Sequence, residues 1–395
     1  NGMAGTHIQV GVLKMDYSRE LSKKIKWETG VKGTYTRSSS SSGLESLVDG
    51  GWVHRDDATN DMLMNEGIGA AYASMSLQPN ASTSISFGAR YEYSYTNMKN
   101  QVTGETTVDR RSGALFPSLF FSQRLKEGSE LQMSCTRRIS RPTYNDLASF
   151  IGYVDPIALF TGNPFLLPTI TSNIKLGYNY KNYIFSLLYS QDDHPIVESQ
   201  LTESPRGDLM YVSPQNMRNR RNITAQANLP WKVNNWWNMS YNLVGGWKRF
   251  AEDYTSQPLE KTYWGYSMNM TQTFQLPRNF SAELSGWYNS PTYGGTVRVE
   301  SLWSLNTGIK KELAKNAGVL QLSVSDVLRT MKIRIKFGTL TREAFGTVSD
   351  VMVNTESRTF PIVKLTYSRS FGRGPAHSVK TMSGAQDEME RIRKD

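Results

Sequence analysis

Oily and polar side chains alternate along this chain, segment after segment, and that period of two restricts its fold more than any other feature. In 170–180, Ile170, Ile174, Leu176, Tyr178 and Tyr180 share one parity, while Thr171, Asn173, Lys175, Gly177 and Asn179 take the other. In 84–95, Ile85, Phe87, Ala89, Tyr91, Tyr93 and Tyr95 alternate with Ser84, Ser86, Gly88, Arg90, Glu92 and Ser94. In 262–274, Trp264, Tyr266, Met268, Met270 and Phe274 oppose Gly265, Ser267, Asn269, Thr271 and Thr273. Successive strand side chains point to opposite faces. Each segment therefore predicts a strand with one apolar, aromatic face and one polar face.

A soluble sandwich alternates in the same way. Three features favour a barrel in lipid. The polar face is built from Asn, Gln, Ser and Gly, which suits a watery lumen. Aromatics such as Tyr178, Tyr180, Trp236, Trp237 and Tyr288 sit near segment ends, as interfacial girdles do. Connections alternate between short (18–22, 77–81, 125–129, 180–183, 231–235, 277–279, 313–317) and long (37–62, 96–113, 139–169, 203–207, 253–260, 291–296, about 336–351). The fourth to sixth long links are only modestly longer. Periplasmic turns at one rim and external loops at the other give that layout. The expected fold is all-β, a transmembrane antiparallel β-barrel of about 15 strands.

The first strand, near 6–17, and the last, near 358–371, would both run towards the periplasmic rim. A closed bacterial barrel has an even strand number with both ends periplasmic. The expectation is a partial barrel over 1–371, preceded by an odd number of further strands, with its first strand an unpaired edge. Val363, Leu365, Tyr367 and Phe371 share a parity. Tyr367 and Phe371 thus read as a terminal aromatic signal for the barrel assembly machinery, or as an ordinary last strand. Residues 372–395 read as a polar periplasmic tail, flexible or a short charged helix.

Composition removes other classes. No run approaches about 18 apolar residues, so no transmembrane helix is expected. The single cysteine, Cys135, excludes a disulfide framework, and the four histidines are too scattered to pair on a metal. The net charge of +10 is spread along the chain, so a basic surface is favoured over nucleic-acid binding. No Gly-x-Ser-x-Gly elbow, phosphate loop or dinucleotide fingerprint occurs, and no enzymatic activity is expected. Asp192-Asp193-His194 and Asp56, Asp57, Asn60 and Asp61 read more readily as solvated groups than as metal ligands. No metal or cofactor is expected.

The segment 137–168, RRISRPTYNDLASFIGYVDPIALFTGNPFLLP, carries a longer pattern on Arg141, Pro142, Tyr144, Leu147, Asp155, Pro156, Gly162, Asn163, Pro164, Leu167 and Pro168. It resembles a stretch of the outer-membrane β-barrel family of Bacteroidota-type bacteria, relatives of TonB-dependent receptors. Glu66-x-Ile68-x-Ala70-Ala71-Tyr72, Gly88-x-Arg90-Tyr91-Glu92-Tyr93, Asp326-Val327-Leu328 and Glu388-x-Glu390-Arg391 match in order, so the resemblance spans essentially the whole chain. Two departures stand out. Leu147-Ala148-Ser149-Phe150 replaces the family's Leu-Asn-Pro-Phe, and the family's Gly-Asn-Pro-x-Leu-Lys-Pro has Leu166-Leu167-Pro168 here, losing a Lys. The resemblance implies about 15 of about 22 strands, with the plug absent from this sequence.

The motif also has a physical reading. Pro142 removes a ladder donor and ends pairing at the top of its strand. Asp155-Pro156 and Asn163-Pro164 initiate turns, Gly162 can take positive φ, and Pro168 opens the next strand. The product is a folded external loop, with Tyr144, Tyr153 and Phe160 either packing it or touching ligand.

The resemblance implies the barrel of a TonB-dependent receptor that takes up a scarce nutrient. Its partners would be outer-membrane lipid and the TonB complex acting through a plug, with a surface lipoprotein as a further candidate. Arg90, Glu92, Lys175, Asn269 and Thr271 would line the lumen. Trp52, His54, the 141–168 loop and Tyr293 are candidate external contacts, or rings that merely pack loops. A non-transport barrel (adhesin, porin or scaffold) and a soluble β-rich carbohydrate-binding protein are the alternatives.

Overall fold

A computed structural model describes residues 2–148, 151–155, 158–203, 210–255, 258–314, 317–340, 349–355, 361–369 and 386–392. Its strands in chain order begin with β1 (Gly2–Ser22), β2 (Ile25–Val48), β3 (Gly51–Asn80), β4 (Thr83–Asn100), β5 (Thr106–Arg124) and β6 (Ser129–Ser140). After the short helix α1 (Tyr144–Leu147) come β7 (Ile151–Asp155), β8 (Ala158–Thr161), β9 (Thr169–Tyr180), β10 (Tyr183–Asp193), β11 (Ile196–Glu203) and β12 (Met210–Asn216). Next are β13 (Asn219–Lys232), β14 (Trp237–Glu252), β15 (Leu259–Leu276), β16 (Phe280–Asn289), β17 (Thr292–Gly294), β18 (Val297–Val299) and β19 (Leu302–Glu312). The series closes with β20 (Val319–Ser325), β21 (Lys332–Phe337), β22 (Ser349–Asn354), β23 (Ile362–Ser368) and the helix α2 (Gln386–Ile392).

Fifteen of these strands form one sheet, in the order β1-β2-β3-β4-β5-β6-β9-β10-β13-β14-β15-β16-β19-β20-β23. All its pairings are antiparallel, and β1 and β23 are its edges. The short links are tight turns between neighbours: Lys181 at one, and Arg278 with Asn279 at another, adopt positive φ, the geometry that reverses a hairpin without splaying its strands. Strands β7, β8, β11 and β12 form a second sheet and β17, β18, β21 and β22 a third, both inside the long links.

Register turns the sequence alternation into continuous rows. Leu131, Tyr178, Phe185, Ala227, Leu243, Met268, Tyr288 and Trp303 face one another across eight successive strands. The face bearing such rows is bare: Leu13 is 79% exposed, Trp264 73% and Tyr266 58%. The opposite face buries polar groups, with Thr36 at 0%, Glu66 at 5% and Lys32 at 8%. Water would reverse that arrangement. On β2 the outward positions from Ile25 to Tyr35 carry no charge and are apolar except for Thr29, whose hydroxyl donates to the Tyr72 carbonyl; they give way at Arg37 and turn to Ser39 and Ser41. Eleven residues is one bilayer crossing for a tilted strand.

Three expectations change. Residues 37–62 are not a loop: β2 and β3 continue as a paired ribbon to a tight turn at Asp49 and Gly50, both with positive φ. Gly162 does not take positive φ. It is required for space, because a Cβ there would meet the Ala148 carbonyl oxygen at 2.1 Å. Finally, α2 of the tail lies against the polar face of β2 and β3, as its ion pairs below show.

Candidate functional site

The polar face of β2–β6 carries charges that strand alternation alone would leave in water. They are covered from two directions, by the 141–168 loop and by α2. Pairing of β6 ends at Ser140, opposite Thr169, immediately before Arg141-Pro142, and β9 begins immediately after Pro168. Between them the chain turns through α1. Thr143 caps that helix: Asp146 N–H donates to Thr143 Oγ1 at 3.2 Å, and Thr143 N–H donates to the Asp146 carboxylate at 3.2 Å. Asn163 N–H donates to the Asp146 carbonyl at 2.6 Å, pulling the Gly162 backbone onto Ala148. Asn163 Oδ1 accepts from Phe165 N–H at 3.0 Å, the turn expected of Asn163-Pro164.

That fold drives Tyr144, Leu147 and Leu166 into a buried cluster with Met62, Met64, Met98 and Val108. The loop also stands in for a missing strand neighbour. β5 pairs with β6 only from Ser118 to Arg124; above Pro117 it pairs with β4 alone among the described residues. There the Arg110 guanidinium donates to the carbonyls of Leu166 (2.8 Å) and Phe165 (3.3 Å).

The charges meet beneath this loop. Arg141 donates to Glu92 at 2.7 Å, and Arg90 binds the other oxygen of the same carboxylate. Arg391 of α2 pairs with Glu66, donates from Nε to the Pro142 carbonyl at 3.1 Å, and lies 4.3 Å from the centre of the Tyr144 ring. Lys32 Nζ reaches Asp387 and Glu388 at 3.0 Å each, and Thr34 donates to Glu388 at 3.1 Å. Thr36 and Tyr144 share a hydrogen bond at 3.1 Å. Burial pushes the Tyr144 hydroxyl above its ordinary pKa, so it stays a neutral partner. A cavity of about 510 Å³ remains among Arg90, Glu92, Arg138, Arg141, Glu388 and Arg391. It offers paired charges to a polar solute, and its carboxylates already hold cations.

The remaining expected positions are dispersed. Lys175 and Asn269 lie on the face opposite the exposed aromatics, away from this cluster. Trp52 is exposed beside the β2–β3 turn. Phe160 is half-buried in β8. His54 and Tyr153 lie in β3 and β7, and Asp155 ends β7; their side chains, like Pro156 and Phe371, are outside the described residues. Tyr367 is exposed on the edge strand, its hydroxyl donating to the Ala317 carbonyl at 2.6 Å. Tyr293 packs edge-on against Tyr263 at 5.0 Å and near Phe250 at 6.1 Å. Beside it, Gln200 accepts from Tyr254 (2.7 Å) and Thr296 (3.0 Å), tying the β10–β13 link to the link after β16. Lys32, Thr34, Thr36 and Glu66 were absent from the expected site. Their signal was faint: Lys32 and Glu66 pair with residues of α2 more than 300 positions away in sequence.

A model of the outer membrane protein beta-barrel family matches residues 2–367. The chain belongs to that family. Residence in the outer membrane follows, and the bare apolar face is the one that meets lipid. Solved structures of similar fold include the copper transporter OprC (TM-score 0.60, 12% identity, covering 92% of this chain and 56% of that one). The ferric citrate transporter FecA gives 0.58 at 12% identity, covering 89% and 53%. The siderophore receptor PiuA from Acinetobacter baumannii gives 0.56 at 9% identity, covering 89% and 55%. The chain spans about half the length of these neighbours, which are transporters and receptors rather than enzymes. No curated protein sequence matches it. A soluble two-sheet protein is ruled out, since it would bury Tyr266 and its row.

Proposed function

We propose that this family member is the barrel portion of a TonB-dependent receptor that imports a scarce nutrient across the outer membrane. One observation carries the reading. The inner face is charged and polar, and a folded loop and a helix close over it through side-chain contacts rather than through continuous strand pairing. Such contacts can part and re-form, as a gated aqueous path requires. The neighbours named as transporters and receptors support this reading at the level of fold.

In this scheme Arg90, Glu92, Lys175 and Asn269 line the path, and Arg141 holds the loop across it. Trp52, His54, Tyr153 and Phe160 present external contacts. Tyr144 and Tyr293 serve the loops, since both are already packed. TonB would engage a plug domain within the barrel, Tyr367 and Phe371 would serve assembly, and a surface lipoprotein would hand over cargo.

The test is uptake by cells carrying the full-length protein, offered ferric siderophores, copper, cobalamin, oligosaccharides and peptides in turn. Import of one class that stops with a protonophore and with loss of TonB is the expected result. Equal flux of small solutes with and without the protonophore would establish a passive porin instead.

A further inference from the structure

Four glycines form an unexplained patch on the lipid-facing side of β1–β4. Across the strands, Gly11, Tyr35, Gly67, Tyr95 and Arg111 form one row, and Leu13, Gly33, Gly69, Tyr93 and Gly113 the next. Glycine weakens a strand interior, so it calls for a reason. At two other positions of the sheet the reason is internal: a Cβ at Gly246 would meet the Ile223 carbonyl oxygen at 1.9 Å, and one at Gly88 the Ser74 Cβ at 2.8 Å. At Gly33, Gly67 and Gly69 a Cβ would meet no atom within 4 Å, and at Gly11 only the Tyr35 carbonyl oxygen at 3.9 Å. None of the four has positive φ. The missing side chains leave a depression of about 690 Å³, floored by these glycines and walled by Leu13, Tyr35, Tyr93 and Tyr95.

Its height fixes the chemistry of what enters. The next outward row is Gln9, Arg37, Asn65, Asn97 and Asp109, where the apolar band ends. Tyr35 marks that boundary by donating to Asn65 Oδ1 at 3.1 Å. Arg37 and Arg111 stand exposed at the same edge, with Arg111 lying 5.5 Å from the centre of the Tyr95 ring. A filling molecule must be oily below and anionic above. Asp109 in the boundary row disfavours a bare anion without the oily anchor.

We propose that this depression binds the acyl chains of a phosphorylated membrane lipid, whose phosphate is held by Arg37 and Arg111. Guanidinium forks match phosphate oxygens two at a time, and glycine floors let a chain lie close against the backbone. The site is separate from the transport path, so it stands or falls independently of the uptake reading.

The experiment titrates phosphatidylglycerol onto the purified full-length protein in mild detergent and reads bound lipid by native mass spectrometry. Wild type should retain it at least tenfold better than diacylglycerol, which has the chains without the phosphate. The pair Gly33→Leu with Gly69→Leu, which fills the floor, should lose at least tenfold in retention. Arg37→Gln with Arg111→Gln should lose the preference over diacylglycerol. Heat-modifiable gel mobility reports folding of each variant. Equal retention by wild type and the folded Leu pair overturns the proposal, as does equal retention of the two lipids by wild type. If the Leu pair does not fold, the Gln pair decides, because its positions are exposed and outside the apolar band. A polypeptide or a second copy of the chain in the depression also overturns it.

Discussion

Arg391 and Glu66 illustrate how much single residues carry here, because Glu66 is buried, the Arg391 side chain is only 10% exposed, and the two pair with each other. Removing one member of a buried pair leaves an uncompensated charge, which costs about 3–5 kcal/mol. Arg391→Ala should therefore release α2, with exchange of the 386–392 amides rising at least a hundredfold in hydrogen-exchange measurements. Glu388→Gln should do less, since Lys32 keeps Asp387. Gly162→Ala is a second test: the Ala148 carbonyl must move, and the 141–168 loop should become susceptible to proteolysis while the wall strands keep their protection. Trp52→Ala should leave stability within about 0.5 kcal/mol, because its ring is exposed; any loss of cargo binding by that variant then reports contact rather than folding.

At the scale of elements, the wall strands were readable because each pairs an apolar face with a polar one. The alternation in 84–95, 170–180 and 262–274 fell inside β4, β9 and β15. The β2–β3 ribbon was not readable in that way. Its run from Ser38 to Ser42 has the same polarity on both faces, so no contrast marks it as strand. Asp49-Gly50 was the available signal, a dipeptide suited to positive φ at both turn positions. The docking of α2 was hidden for another reason: it depends on pairings across the fold, and only the three-residue step from Glu388 to Arg391 hinted at one helical face. The small sheet of β17, β18, β21 and β22 carries its own pH dependence. Lys336 holds the Glu300 carboxyl below its ordinary range, with Arg298 assisting, and Arg334 does the same for Asp350. Groups lowered on folding contribute fully above their unfolded values, about pH 4–4.5, and the contribution disappears as pH falls through the lowered ones. Protection of the 332–337 and 349–354 amides, after correction for the intrinsic exchange rate at each pH, should fall below about pH 4 and stay constant between pH 5 and 8.

Across the whole molecule, the exposure pattern predicts opposite outcomes for one substitution on two faces. Tyr266→Arg puts a cation among lipid tails and should cost about 2–4 kcal/mol, seen as loss of heat-modifiable mobility in the full-length protein. Asn269→Arg, three positions away and facing water, should fold normally. The strand count of fifteen and the outward rows followed from the alternation. The way the interior is filled did not, because loop and tail choose their contacts only once the wall stands.

The bare outer rows have a consequence for how such a chain can drift over time. Fluid hydrocarbon asks only that a side chain be greasy, so leucine, methionine and tryptophan can trade places there without a matching change next door. The wet interior, where Glu66, Glu92 and Glu388 are each answered by a particular arginine or lysine, allows far fewer exchanges. Related sequences should therefore vary most at their oiliest positions and least at their charged ones, the reverse of the habit of proteins that fold in water.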